Sequence, residues 1–239
     1  MSKSYAYLTS QLEIKKWKKD KTAETLDFIS SSLNSPKVKD LPNLKRFRAS
    51  FCQNLTTILF ENLPNLVSID LSFSAVENIT IKNCPNLKAL DITNCSSLKS
   101  FTDDSLNKLE YLAAFGVNPS LFHPFPSLKY LCIAAFADVS LANYFPVLEV
   151  CYFLNAQNIE IHLSEITKCQ NLTIFTINKG IFIFDKLQTY SGLCCLDLSY
   201  SQIQGDPEAF DNLIIIKEND LLVYNSDISS DTLAERITY

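Results

Sequence analysis

Residues 63–101 read LPNLVSIDLSFSAVENITIKNCPNLKALDITNCSSLKSF, and one phrase occurs twice within them. The phrase is Leu-x-x-Leu-x-Leu, with other apolar residues allowed in the second and third slots: first Leu66-Ile69-Leu71, then Leu87-Leu90-Ile92. Working outward, it returns at Leu44-Phe47-Ala49, Leu109-Leu112-Ala114, Leu128-Leu131-Ile133, Leu148-Cys151-Phe153, Leu172-Phe175-Ile177 and Leu193-Leu196-Leu198. A weaker copy stands at Leu213-Ile216-Glu218. Successive leading Leu residues are 22, 21, 22, 19, 20, 24, 21 and 20 residues apart. Self-similarity at such a period marks a solenoid, in which each repeat is one turn of a coil and buries its apolar side only against its neighbours.

The second and third slots alternate with polar or variable residues, which is the period of a strand. Stacked turns then lay these strands side by side, about 4.8 Å apart, in a parallel sheet. Each repeat leaves about eight to twelve residues for the return path. Leu55 and Ile58, Val76 and Ile79, and Leu98 and Phe101 point back to the core from that path at a spacing that suits short 3₁₀ or extended segments. The expected fold is a mostly-β solenoid of the α/β repeat class, curved into an open arc with parallel strands on its concave face.

Residues 1–40 carry no copy of the phrase and are expected to form an N-terminal cap. Within them Leu26, Ile29 and Leu33 fall at helical spacing, which predicts a helix over 22–33 with Thr22 as N-cap and Pro36 beyond its end. Repeats fill 41–221, and 222–239 form a C-terminal cap with a short helix over 232–236. No Gly-, Ser- or Pro-rich linker divides the chain, so one domain is expected. The net charge is −5, distributed unevenly: residues 1–40 carry eight Lys against five acids, and 201–239 two basic residues against eight acids. Both ends read as solvated caps.

Eight cysteines could suggest a disulfide framework, but five of them stand in apolar columns. Cys84 and Cys169 precede a leading Leu by three residues, Cys52 and Cys95 follow one by eight, and Cys151 fills a second slot. They read as small hydrophobes. No export signal or membrane-spanning apolar run is visible, so a cytoplasmic chain with reduced thiols is expected. No Cys-x-x-Cys pair or His at ligand spacing points to a metal, and four glycines provide no phosphate loop. Neither metal nor cofactor is expected.

Nine phrases in register resemble the leucine-rich repeat family, whose consensus is LxxLxLxxN/CxL. The clearest are LPNLVSIDLSFSAVENI from Leu63, CPNLKALDITNCSSLKSF from Cys84 and GLCCLDLSYSQI from Gly192. The resemblance covers about three quarters of the chain and favours the shorter intracellular subclasses. It implies protein recognition on the concave strand face, and an Asn/Cys slot that closes the strand-side turn by hydrogen bonding to backbone. Here that slot holds Cys52, Ser74, Cys95, Val117, Phe136, Ala156, Gly180, Ser201 and Leu221. Val117, Phe136 and Leu221 depart from it.

Variable strand positions supply the candidate contacts. Tyr111, Tyr130 and Tyr152 fall on three consecutive repeats, with Phe115 further along the strand of Tyr111 and small Ala113, Ala134 and Ala135 nearby. Tyrosine combines apolar area with a polar tip, which interfaces favour. Arg46, Arg48, Asp70 and Asp91 form a second, charged cluster nearer the N-terminus. Cys132, Cys194 and Cys195 also occupy variable slots, with nothing basic placed to activate a thiol.

With only His123 and His162, no Ser-His-Asp or Cys-His grouping is expected, which argues against an enzyme. Nucleic-acid binding lacks a basic face, since only Lys15–Lys21 is strongly basic. A protein-binding scaffold or adaptor remains. The other reading is the recognition subunit of a ligase or phosphatase complex, but residues 1–40 carry no recognisable docking box for it.

Overall fold

The computed structural model describes residues 5–7, 22–104, 106–134, 141–157, 159–166, 168–185, 193–205, 214–217 and 220–223. It is a mostly-β parallel solenoid. One side of the coil forms a twelve-stranded sheet. These strands are β1 (Tyr5–Tyr7), β2 (Thr25–Asp27), β4 (Arg46–Arg48), β6 (Ser68–Asp70), β8 (Ala89–Asp91) and β10 (Tyr111–Ala114), then β11 (Tyr130–Ala134), β12 (Val150–Leu154), β14 (Ile174–Ile177), β16 (Cys195–Asp197), β18 (Ile214–Lys217) and β19 (Asp220–Val223). Every adjacent pair is parallel except the last, in which β19 folds back antiparallel on β18. A parallel strand needs a crossover; the final hairpin needs none.

The return path is largely extended. Four strands, β3 (Lys37–Lys39), β5 (Thr57–Glu61), β7 (Asn78–Lys82) and β9 (Ser100–Asp103), make one sheet, and β13 (Glu160–His162), β15 (Ile181–Ile183) and β17 (Gln202–Gln204) make another. Between them the path shortens to 3₁₀ turns at Leu106–Lys108 and Pro119–Leu121, and two one-turn helices, α1 (Leu141–Tyr144) and α2 (Leu163–Ile166), follow on. Alternation explains the extended segments: in β5 and β7 Ile58, Phe60, Ile79 and Ile81 face inward while the residues between them are partly or fully exposed.

The core lies between the sheets. The leading Leu residues from Leu44 to Leu193 and the second-slot residues Phe47, Ile69, Leu90, Leu112, Leu131, Cys151, Phe175 and Leu196 are buried in register. All five cysteines read as packing residues are buried, as is Cys195, and none of the eight is in a disulfide. Burial pushes the thiols of Cys84, Cys95, Cys132, Cys169 and Cys195 up to about 11, a range in which they stay protonated and inert.

Tight corners end strands on both sides of the coil. After the strands of the large sheet, Ser30, Phe51, Phe73, Asn94, Asn155, Lys179 and Tyr200 adopt positive φ, as does Gly116. After the return strands Asp40, Asn62 and Asn83 do the same, and their side chains form a ladder, Asn83 to Asn62 and Asn62 to Asp40, both at 2.9 Å. Asn and Asp tolerate the left-handed region because their short polar groups bond locally. Gly205 (φ +93°) is required at its corner, where a Cβ would stand 2.6 Å from the Phe184 carbonyl oxygen. The slot expected to close the strand-side turn does so where it is polar. The Cys52 thiol donates to the Phe28 carbonyl at 3.1 Å, Cys95 to Leu71 at 3.1 Å, and the Ser201 hydroxyl to Ile177 at 2.9 Å. Val117 and Ala156 fill the slot by burial alone.

Two expectations are corrected. No helix spans 22–33: β2 occupies 25–27 and pairs with β4, with Leu26 opposite Phe47. Leu26 and Phe28 alternate inward with period two, and Leu33 is buried after the following corner, so helical spacing arose from a strand plus a turn. The coil thus begins ahead of residue 41, with Ala23-Leu26-Phe28 in the three slots. At the other end Leu196 pairs with Ile215, not Ile216, a shift of one residue from the phrase at Leu213. The helix expected at 232–236, the Lys15–Lys21 run, Ala135 and Phe136 lie outside the described residues.

Candidate binding face

In-register parallel stacking brings residues one period apart into contact. Tyr111 on β10 pairs with Tyr130 on β11, and their rings stack with centroids 4.4 Å apart and planes 10° from parallel. Tyr152 stands two positions further along β12, opposite Cys132, and its ring meets Tyr130 at 5.5 Å with a 45° tilt. The three tyrosines therefore form one continuous aromatic strip. Tyr111 is 37% exposed and the other two are partly covered. Burial, then the negative charge of Asp91, raises the Tyr111 phenol. Burial and the neighbouring phenol Tyr111 raise Tyr130, and burial raises Tyr152. All three stay neutral at physiological pH.

Phe115 is not on the strand of Tyr111: β10 ends at Ala114, and Phe115 is half-buried in the corner that follows. A second aromatic pair escaped the sequence reading. Phe51 and Phe73, at equivalent left-handed corners, are exposed and stack at 4.9 Å with planes 4° apart. Their spacing of one period was the available signal.

The charged cluster divides. Arg48 lies between Asp27 at 3.3 Å and Asp70 at 3.6 Å, so it ties β4 to the strands on both sides. Arg46 is exposed on the same strand. Asp70, Asp91 and Asp197 share a structural task. Each Oδ1 accepts a hydrogen bond from the backbone N–H two residues on, from Ser72 at 3.0 Å, Thr93 at 2.9 Å and Ser199 at 3.0 Å. This Asx turn closes the strand before the left-handed corner. Asp91 lies beside Ala113 in register and so borders the tyrosine strip. Before the strands, Lys45–Glu24, Lys88–Glu110 and Lys129–Glu149 form exposed ion pairs between successive turns at 3.0, 2.7 and 3.2 Å.

Both histidines meet an acid one turn away, a pairing that period arithmetic could have found. His162 Nδ1 contacts Asp185 at 2.9 Å, and the Ser164 hydroxyl donates to the same carboxylate at 2.5 Å. Those bonds, His162 first, lower the Asp185 pKa. His162 and the Ser164 hydroxyl thus meet different oxygens of the Asp185 carboxylate. Among the described residues no group of three His, Cys, Asp or Glu is placed to hold a metal ion.

His123 is held by acceptors at both ring nitrogens: the Pro124 carbonyl at 2.9 Å from Nδ1 and Asp103 at 2.6 Å from Nε2. Only imidazolium donates from both. Partial burial pulls its pKa down, but the Pro124 carbonyl and the Asp103 carboxylate outweigh it, so the net shift is upward from 6.5. A raised folded-state pKa gives stability that is complete below 6.5 and is lost as pH rises through the folded value. Half the side chain is exposed, so screening keeps the gain small. The urea midpoint of the parent should therefore fall relative to that of His123→Gln between about pH 6 and pH 8.5. Parallel midpoints across that range would contradict the charged pair.

Among the described residues no helix is long and apolar enough to cross a membrane. No family model, curated protein or solved structure matches the chain. Fold and face together define its class: a mostly-β parallel solenoid that presents a tyrosine strip on its twelve-stranded sheet.

Proposed function

We propose that this protein is a non-catalytic protein–protein interaction module, a scaffold or adaptor. Its partner docks on the exposed side of the twelve-stranded sheet, which we read as the concave side of an open leucine-rich-repeat arc. The observation that carries this reading is the Tyr111–Tyr130–Tyr152 strip. Three neutral aromatic rings sit side by side on a rigid sheet and are left partly open to solvent. Rings held this way lose little entropy on binding, and clustered tyrosines are typical interface anchors. Intracellular residence is part of the same proposal, supported by cysteines used as core packing.

Affinity capture from native lysate with the parent and with the Tyr111→Ser/Tyr130→Ser/Tyr152→Ser variant tests it. Loss of two or more anchor rings should weaken partner binding about a hundredfold or more, enough to abolish capture. The strip is outside the core, so the variant should keep the parental circular dichroism. Undiminished capture by a folded variant would remove the docking face.

A further inference from the structure

We propose that the tyrosine face takes an arginine side chain carried on an extended segment of the partner, held between the open ring face of Tyr111 and the carboxylate of Asp91. This rests on the reading of the sheet as a docking surface and adds the chemistry of what docks.

The stack itself shows where a cation would sit. The Tyr111 and Tyr130 rings are nearly parallel, and their 4.4 Å separation is close to the spacing of neighbouring strands. The stack therefore runs across the sheet. Tyr130 covers one face of Tyr111, and the other face looks toward β8. The register partner of Tyr111 on β8 is Ala89, which offers only a methyl group. Two residues along β8, on the same side of the sheet, stands Asp91. A planar group lying over Ala89 touches a ring face and a carboxylate at once. Guanidinium stacks on aromatic rings and pairs with carboxylates through parallel N–H donors, so it suits both.

The charge balance points the same way. The lysines beside the strip are already matched, Lys88 with Glu110 and Lys129 with Glu149. Asp91 uses Oδ1 for the Thr93 turn and makes no ion pair among the described residues, and Asp197 is in the same position. Register places them in one row, Asp91–Ala113–Cys132–Tyr152–Thr176–Asp197. Beyond Asp91 the row continues to Asp70, which Arg48 already matches; between Asp91 and Asp197 the side chains are small or neutral, so the unmatched charge on this stretch is negative. Five strand spacings, about 24 Å, separate the two acids. An extended segment crossing the sheet reaches both.

The test uses a fluorescein-labelled nine-residue peptide with arginine at alternate positions, and the same peptide with citrulline, which keeps shape and removes charge. Fluorescence anisotropy at low salt should show the arginine peptide binding the full chain about tenfold more tightly than its citrulline form. Asp91→Asn keeps the Oδ1 acceptor of the Thr93 turn, so the fold should survive. It should weaken the arginine peptide about fivefold to tenfold, and Tyr111→Leu should do likewise. Equal affinity for the two peptides, or an unchanged affinity in Asp91→Asn, would overturn the arginine assignment. If the triple tyrosine variant still loses its lysate partner in that case, docking on the strip stands and only the cation falls. If that variant keeps its partner, the docking reading fails first.

Discussion

Leu90→Asp should cost more than about 4 kcal/mol and unfold the centre of the coil. Leu90 is fully buried, and in register its neighbours are Ile69 and Leu112, themselves buried. Removing the side chain from the core forfeits roughly 1.5–3 kcal/mol of burial. The carboxylate adds a further penalty, because nothing around it can pair with or hydrate a charge. The damage spreads, because a turn of a solenoid has only its two neighbours to bury against. Hydrogen exchange should show lost protection in β6, β8 and β10 together, and the urea midpoint should drop steeply. A variant with the parental midpoint would show that Leu90 does not belong to the core column.

That column was legible because the strands stack in register. A period near twenty-one residues puts each phrase beside the next, so reading down the Leu positions is reading along the core. The tyrosine strip was legible for the same reason: Tyr111 and Tyr130 occupy one slot of consecutive phrases, and the structure stacks them. What failed to show was wherever the side chains blur the phrase. The turn at Ala23–Phe28 hides because Ala replaces the leading Leu, the one slot the phrase holds fixed. Its Leu26, Ile29 and Leu33 then imitate a helix. At the other end Ile214, Ile215 and Ile216 form an unbroken apolar run, which has no period-two signal to choose between adjacent registers.

The return strands were open to either an extended or a 3₁₀ reading because one or two inward residues satisfy both. Their alternation, as in Thr57–Glu61, favours the strand only once neighbouring turns are present to pair with it. The role of Asp70 and Asp91 was hidden differently. An aspartate in a strand reads as solvated charge, but Ser72 and Thr93 two residues on convert it into a turn closure. The Asp-x-Ser/Thr spacing was the missed signal, and it commits Oδ1 of each carboxylate to the fold, while Oδ2 of Asp70 meets Arg48.

Phe175→Ala should destabilise by about 3–5 kcal/mol, the range for emptying a fully buried aromatic site. Phe175 lies on β14 and contacts Phe153 of β12 at 5.5 Å, edge to face. Across the core it meets Phe182 of β15 at 6.2 Å, and Phe182 contacts Phe184 at 5.2 Å. This chain of rings joins the twelve-stranded sheet to the return sheet in the C-terminal part of the coil. A similar chain, Phe28–Phe47–Phe60, does so near the N-terminus, at 5.5 and 5.0 Å. The two are separated by many turns, and coupling in a solenoid passes between nearest neighbours. Phe175→Ala should therefore lower exchange protection in β12, β14 and β16 and leave β4, β6 and β8 close to parental. Phe47→Ala should do the reverse, and local losses in the double variant should add within about 0.5 kcal/mol. Equal loss of protection along the whole coil in Phe175→Ala would instead mean that all its turns unfold as one unit, and would refute the nearest-neighbour account of its stability.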